Sequence, residues 1–274
     1  MAEHSQEPIL RFEDVTVRFD ELTALDRVSF AAREGESRVI LGAAGSGKTI
    51  LLKTALGLVR PDSGRVFLFG QDITSLRENE LVDLRSRIGM LFQESALFDS
   101  MTIEENVAYP LVNIKSIHCP PDQVLPRVTQ ALRFVELEGT LEKFPSELSG
   151  GMRRRAAIAR AVVTGPPLLL YDSPTAGLDP ITAHTIMALL IKERDLSHAT
   201  TLMVTHRYQD GNLMANFRYN SEQGRLDPLR NGARAGAKTT FMVLREGRLI
   251  FEGDQDELEA SRDNYISKFV KQRI

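Results

Sequence analysis

The sequence predicts an α/β fold: a parallel sheet, an antiparallel β portion at the N-terminal side, and a helical subdomain inserted before the second half. Three observations predict it. The apolar run 37–41 enters a glycine-rich turn and leaves it as an apolar helix over 48–58. A second apolar run, 168–172, ends in a carboxylate and is followed by helix 181–194 and strand 200–204. Between these two units, apolar residues recur at three- and four-residue spacing.

Taken in order, 9–12, 15–19, 28–32 and 37–41 are short β-rich runs, with Glu34-Gly35-Glu36 as the turn before the last. Runs 65–69 and 88–92 read as further strands. Helical periodicity covers 124–135 and 152–163, bounded by Pro120-Pro121 and Pro145, so roughly 95–160 is the inserted subdomain. Strand 239–244 and one tail helix over 256–270 complete the pattern. The stretch 209–238 lacks period and carries Arg218, Arg225, Arg230, Arg234 and Lys238 against Asp210, Glu222 and Asp227. It reads as a long surface loop, of the kind that is functional or mobile.

Composition narrows the function. Lys+Arg 34 against Asp+Glu 37 gives a net charge of −3, so no global basic field points to nucleic acid. Cys119 is the one cysteine, which excludes an internal disulfide. The start, MAEHSQEPILRFEDV, has acids and a proline where a secretory signal needs a basic and then an apolar run. No apolar stretch approaches the ~20 residues that span a bilayer. A cytoplasmic protein is expected, with any membrane role supplied by a partner.

Gly42, Ala43, Ala44, Gly45, Ser46, Gly47, Lys48 and Thr49 fit G-x-x-x-x-G-K-[ST]. Glycines let successive N–H groups turn inward toward phosphate oxygens, and the helix that opens at Lys48-Thr49-Ile50 adds its positive end. Lys48 supplies a charge for the β- and γ-phosphates, and Thr49 a hydroxyl for Mg²⁺. Asp172, at the carboxyl end of its strand, lies beside the loop in a parallel sheet and suits the same metal. ATP with Mg²⁺ is the expected ligand. A strand-terminal Asp is also a common turn former, so its metal role leans on the loop.

Between the two anchors stands Leu148-Ser149-Gly150-Gly151-Met152. Alone it is a helix cap, with Ser149 taking free N–H groups. With it, nearly the whole chain resembles the ATPase subunits of ABC transporters. The resemblance implies a single P-loop NTPase domain over 1–274. Its RecA-like core with β subdomain takes 1–94 and 161–250, its helical subdomain 95–160, and its helical tail 251–274. It implies that Phe19 stacks on adenine and that Gln93 contacts Mg²⁺ and touches the membrane partner. Ser149, Gly150 and Gly151 would close over the γ-phosphate of a second subunit. Gly177-Leu178-Asp179 would be the D-loop and His206 the switch histidine. Each has a bland alternative: Phe19 in the core, Gln93 on the surface, His206 a satisfied strand-end histidine. The implied assembly is a homo- or heterodimer of ATPase subunits on an integral membrane permease, peripheral to the inner face of the cell membrane.

Met152, the segment MLFQESALFDSMTIEENVAYPL over 90–111 and the tail DNYISKFV also resemble the Mla/Mkl-type ATPases of lipid transport, which implies MCE-domain and STAS-domain partners. The stretch 209–238 departs from that pattern. It stands where the family runs a short helix into the next strand, and it suits a partner or anionic-lipid contact. The tail could pack on its own subunit or reach across to the other.

One family carboxylate is missing. The glutamate that polarises the attacking water is here Ser173, whose hydroxyl takes no proton near neutral pH. Loss of a general base costs about 10²–10⁴ in rate. Three readings follow. The site is degenerate and paired with a competent partner; or His206 or Glu94 places the water; or the chain was altered to trap ATP. The functional alternatives are a transport motor and a nucleotide-gated module that closes on ATP and seldom hydrolyses it. A DNA-repair or translation ATPase would need a coiled coil or a second ATPase half, and neither fits in 274 residues.

Overall fold

The structure, a computed structural model, describes residues 7–229 and 239–271. Arg230, Arg234 and Lys238 of the polar stretch lie outside the described residues.

Strands β1 (Leu10–Phe19) and β2 (Leu22–Ala32) form a hairpin closing at Phe19–Leu22. Leu10, Phe12, Val15 and Val17 point inward, and Phe12 stacks on Phe30 at 4.8 Å. Then come β3 (Ser37–Leu41), α1 (Lys48–Ala55), β4 (Ser63–Leu68), β5 (Gln71–Asp72), α2 (Glu78–Arg85) and β6 (Ile88–Leu91). Strands β2, β1, β4 and β5 make an antiparallel sheet in that order.

Helices α3 (Ile103–Asn113), α4 (Pro121–Phe134) and α5 (Gly150–Val162) follow, with two single 3₁₀ turns before α5. Thr102 and Glu105 start α3 with reciprocal cap hydrogen bonds. The second half runs β7 (Leu168–Asp172), α6 (Pro180–Ser197), β8 (Thr200–Thr205), α7 (Tyr208–Asn216), β9 (Phe217–Asn220) and β10 (Arg225–Pro228). It ends with β11 (Thr239–Arg245), β12 (Arg248–Gly253), α8 (Gln255–Glu259) and α9 (Asn264–Lys271).

The main sheet has the order β12-β11-β3-β8-β7-β6, parallel throughout except at β12. Its inner strands are buried end to end because both faces are covered. Alternate residues serve two cores. Ile40, Leu168 and Leu170 join α1 and the antiparallel sheet, while Val39, Leu41, Leu169 and Tyr171 join α3–α7.

Two sequence expectations are corrected. The stretch from 209 is not an aperiodic loop: α7 occupies its first part, and β9–β10 form a hairpin with Arg225 opposite Asn220. Helix α7 buries only Tyr208, Asp210, Gly211 and Met214, too polar a set to show an apolar stripe, and packing overrides propensity there. The hairpin is tied to α6, whose Arg194 donates to the carbonyls of Met214 and Phe217, while the Tyr219 N–H donates to Asp195 at 2.7 Å. The single tail helix is two helices. Asp254 caps α8, and the Asp263 carboxylate, accepting from the N–H groups of Tyr265 and Ile266, restarts the chain as α9. Among the described residues no helix is long and apolar enough to cross a membrane.

Candidate phosphate-binding site

Four parallel strands deliver the predicted residues to one edge of the sheet. Gly42 follows β3, His206 follows β8, Asp172 closes β7, and Gln93 leaves β6 two residues beyond Leu91. The register pairs Leu41 with Thr205, Asp172 with Val204 and Leu91 with Tyr171, and the Ser173 N–H donates to the Val204 carbonyl at 2.8 Å.

The loop 42–47 turns tightly, with the Ser46 N–H bonded to the Ala43 carbonyl at 3.2 Å. Gly47 sits at φ +103, and a Cβ there would stand 2.3 Å from the Ala24 carbonyl of β2. At Gly42 a Cβ would meet Ser46 Oγ at 2.4 Å. No side chain caps α1, so the N–H groups of Lys48, Thr49 and Ile50 begin the helix without a side-chain partner. That row of donors and the helix's positive end suit an anion.

Lys48 Nζ donates to the carbonyls of Gly42 and Ala43, both at 2.8 Å, and to Ser46 Oγ at 3.4 Å. Burial holds its pKa below the usual lysine value, and the nearby Asp172 charge partly restores it. Thr49 Oγ1 donates to Asp172 Oδ2 at 2.9 Å, and Ser173 Oγ to Asp172 Oδ1 at 3.1 Å. Ser173 occupies the left-handed region at φ +47 and is buried.

Phe19 is an exposed ring at the tip of the β1–β2 hairpin, and β2 runs past Gly47. Gln93 and His206 are exposed. Ser149, Gly150 and Gly151 open α5, where Ser149 Oγ accepts from the Met152 N–H at 3.3 Å. Among the described residues no hydrogen bond joins them to the loop 42–49. Asp179 caps α6, accepting from the N–H groups of Ile181 and Thr182 at 3.0 Å; a hydrogen bond from the Thr182 side chain, with these backbone bonds, lowers its pKa.

Sequence reasoning missed two residues. Tyr265 of α9 accepts from the Ala43 N–H at 3.0 Å and donates to the Leu244 carbonyl at 3.4 Å, so the tail packs on the loop 42–47 of its own chain. Asp210 accepts from Thr175 at 2.7 Å and Thr205 at 2.8 Å, linking the segment after Ser173 to the one before His206. Burial raises its pKa despite both bonds. Tyr265 lies in the tail segment DNYISKFV and Asp210 among the acids of 209–238, yet neither contact has a sequence signal, because each partner is remote or ordinary.

The ABC transporter family profile matches residues 25–176. Over 96% of its length the chain is 31% identical to the intermembrane phospholipid transport system ATP-binding protein MlaF of Haemophilus influenzae, spanning 90% of that protein. It is 42% identical to the methionine import ATP-binding protein MetN 2 of Rhodococcus jostii over 73% of the chain, spanning 59% of that relative. Among solved structures, the ATP-binding cassette MJ0796, a dimer bound to ADP and Pi, superposes with a TM-score of 0.74 at 29% identity, over 89% of this chain and 98% of that one. The cassette cbiO1 of Clostridium perfringens, part of the ABC transporter complex cbiONQ, superposes at 0.76 and 28%, over 98% and 96%.

Proposed function

The chain belongs to the ABC transporter ATP-binding family, and from that premise we propose that it is the ATP-hydrolysing motor subunit of a phospholipid transporter. The observation that carries the lipid reading is coverage. The likeness to MlaF extends along 96% of the chain, whereas the likeness to MetN 2 covers 73%. The higher identity of that shorter match favours methionine import as the second reading.

In this reading the backbone amides of 45–50 and Lys48 grip the triphosphate of ATP, and the Phe19 ring stacks on its adenine. Phosphate oxygens offer Lys48 Nζ anionic partners in place of the carbonyls it holds, which offsets the cost of burying an ammonium. Thr49 and Asp172 present hard oxygen donors side by side, and Gln93 adds a third, a set that fits Mg²⁺ held jointly with phosphates rather than by a protein cage. Bound there, Mg²⁺ would neutralise charge on the β- and γ-phosphates. Ser149, Gly150 and Gly151, unattached to their own loop, are read as the cap on the nucleotide of a second ATPase subunit. His206 and Ser173 face the reacting phosphate.

Ser173 makes hydrolysis slow rather than absent, since placement and charge carry most of phosphoryl transfer. The partners are a second ATPase subunit, an integral membrane permease, and MCE- and STAS-domain proteins, with the chain peripheral on the inner face of the membrane. The test is turnover of the complex reconstituted with its permease. Phospholipid, and not methionine, stimulates ATP hydrolysis. Stimulation by methionine alone replaces the lipid reading with the second one, and no turnover with either favours the nucleotide-gated module.

A further inference from the structure

Helix α5 sends two arginines back into the protein toward the segment that holds Gln93. Arg154, 5% exposed, donates through Nη1 to the Phe92 carbonyl at 2.7 Å. Arg160, six residues on, donates through Nη2 to the Ser95 carbonyl at 3.0 Å and lies over the Phe98 ring at 5.6 Å. The two anchored carbonyls bracket Gln93 and Glu94, both exposed. Immediately after them Ser95 and Ala96 stand in the left-handed region, at φ +65 and +50, a strained path that persists only where the surroundings hold it.

Arg154 is poorly explained as packing. Its Nε is buried without a hydrogen-bond partner, a cost that an apolar side chain of similar volume avoids. Burial lowers its pKa, and the Glu94 and Asp172 carboxylates are near enough for their charges to oppose that shift. Helix α5 is also the element whose first residues are Gly150 and Gly151.

We propose that Arg154 is a positioning residue: by holding the Phe92 carbonyl it sets where Gln93 stands relative to Asp172, and it ties that setting to α5. Arg160 fixes the far end of the same segment. A displacement of the Ser149 end of α5 is thereby carried to the Gln93 segment through two hydrogen bonds, one at each end of it. The inference rests on the reading of Gln93 as a contact of Mg²⁺.

The test is equilibrium binding of ATP titrated with Mg²⁺, for the native protein, Gln93→Ala, Arg154→Met and the double variant. Losing a charged hydrogen bond that orients Gln93 raises the Mg²⁺ concentration for half-maximal binding by about tenfold. The double variant is no worse than Gln93→Ala alone, because both changes remove one interaction. Amide exchange over 92–96 quickens in Arg154→Met while exchange in β7 stays native. Additive shifts, or an unshifted midpoint in Arg154→Met when Gln93→Ala is shifted, overturn the inference. An unshifted Gln93→Ala overturns the reading of Gln93 itself. If Arg154→Met does not fold, Arg154→Gln replaces it: its side chain stops two atoms short of the Nη1 that donates to the Phe92 carbonyl, so the bond is lost and a native midpoint there overturns the inference equally.

Discussion

Replacing Ser173 with glutamate is expected to accelerate this ATPase while leaving nucleotide binding nearly unchanged. The backbone is already prepared for the longer side chain. The Ser173 N–H is bonded to the Val204 carbonyl at 2.8 Å, its carbonyl accepts from the Ala176 N–H at 3.0 Å, and its φ is +47. Glutamate inherits that left-handed strain rather than adding to it. Its carboxylate extends beyond the serine hydroxyl, which now spends its proton on Asp172 Oδ1 at 3.1 Å. A placed general base contributes about 10²–10⁴ in rate, equivalent to about 3–5 kcal/mol of barrier. Among the described residues no neighbouring group is built to orient the new carboxylate, so the lower end of that range, about a hundredfold, is the expected gain. Phosphate release from the purified protein measures kcat, and calorimetric titration with Mg·ATP measures affinity. Turnover in Ser173→Glu equal to or below the native rate, with binding intact, would refute the reasoning and assign the water to His206 or Glu94.

Two further outcomes follow from contacts around the site. Tyr265→Phe removes the acceptor of the Ala43 N–H; water replaces it at an exposed position, so ATP affinity falls by about fivefold, roughly 1 kcal/mol. Native affinity in that variant would show that the tail does not brace the loop. Asp210 has a folded pKa raised above its ordinary 3.8, mainly by burial. The folded state therefore holds its proton to higher pH than the unfolded chain, and the group's contribution to stability falls as pH rises through that window. Melting temperatures of Asp210→Asn and the native protein from about pH 4 to about pH 7 should shift in the variant's favour as pH rises. A shift in the native protein's favour contradicts the assignment.

The tight turn 42–47 and the helix it opens were legible because the motif needs contiguous residues, so the spacing of Gly42, Gly47, Lys48 and Thr49 carries the candidate phosphate cradle whole. Asp172 was legible because an apolar run that stops at a carboxylate marks a strand end, and its bond to Thr49 across the sheet edge is what a parallel arrangement requires. Tyr265 and Asp210 act through partners set by packing, and periodicity says nothing about those. Arg154 lies inside the sequence of a recognisable helix, yet its burial against Phe92 depends on how α5 faces β6. Helix α7 escaped notice because its buried face includes Asp210 and Gly211, the latter fitting only because its missing Cβ would stand 2.6 Å from Phe241. The break between α8 and α9 is set by Asp263, a cap whose role appears only once the backbone turns.

The most direct measurement is calorimetric titration of Mg·ATP into the native protein and Lys48→Ala. Saturable binding to the native chain, weakened in the variant by at least about tenfold, is the result expected from losing a buried charge against phosphate. Equal affinity in the two proteins, or a native chain that ignores Mg·ATP, would contradict a triphosphate held by the loop after β3.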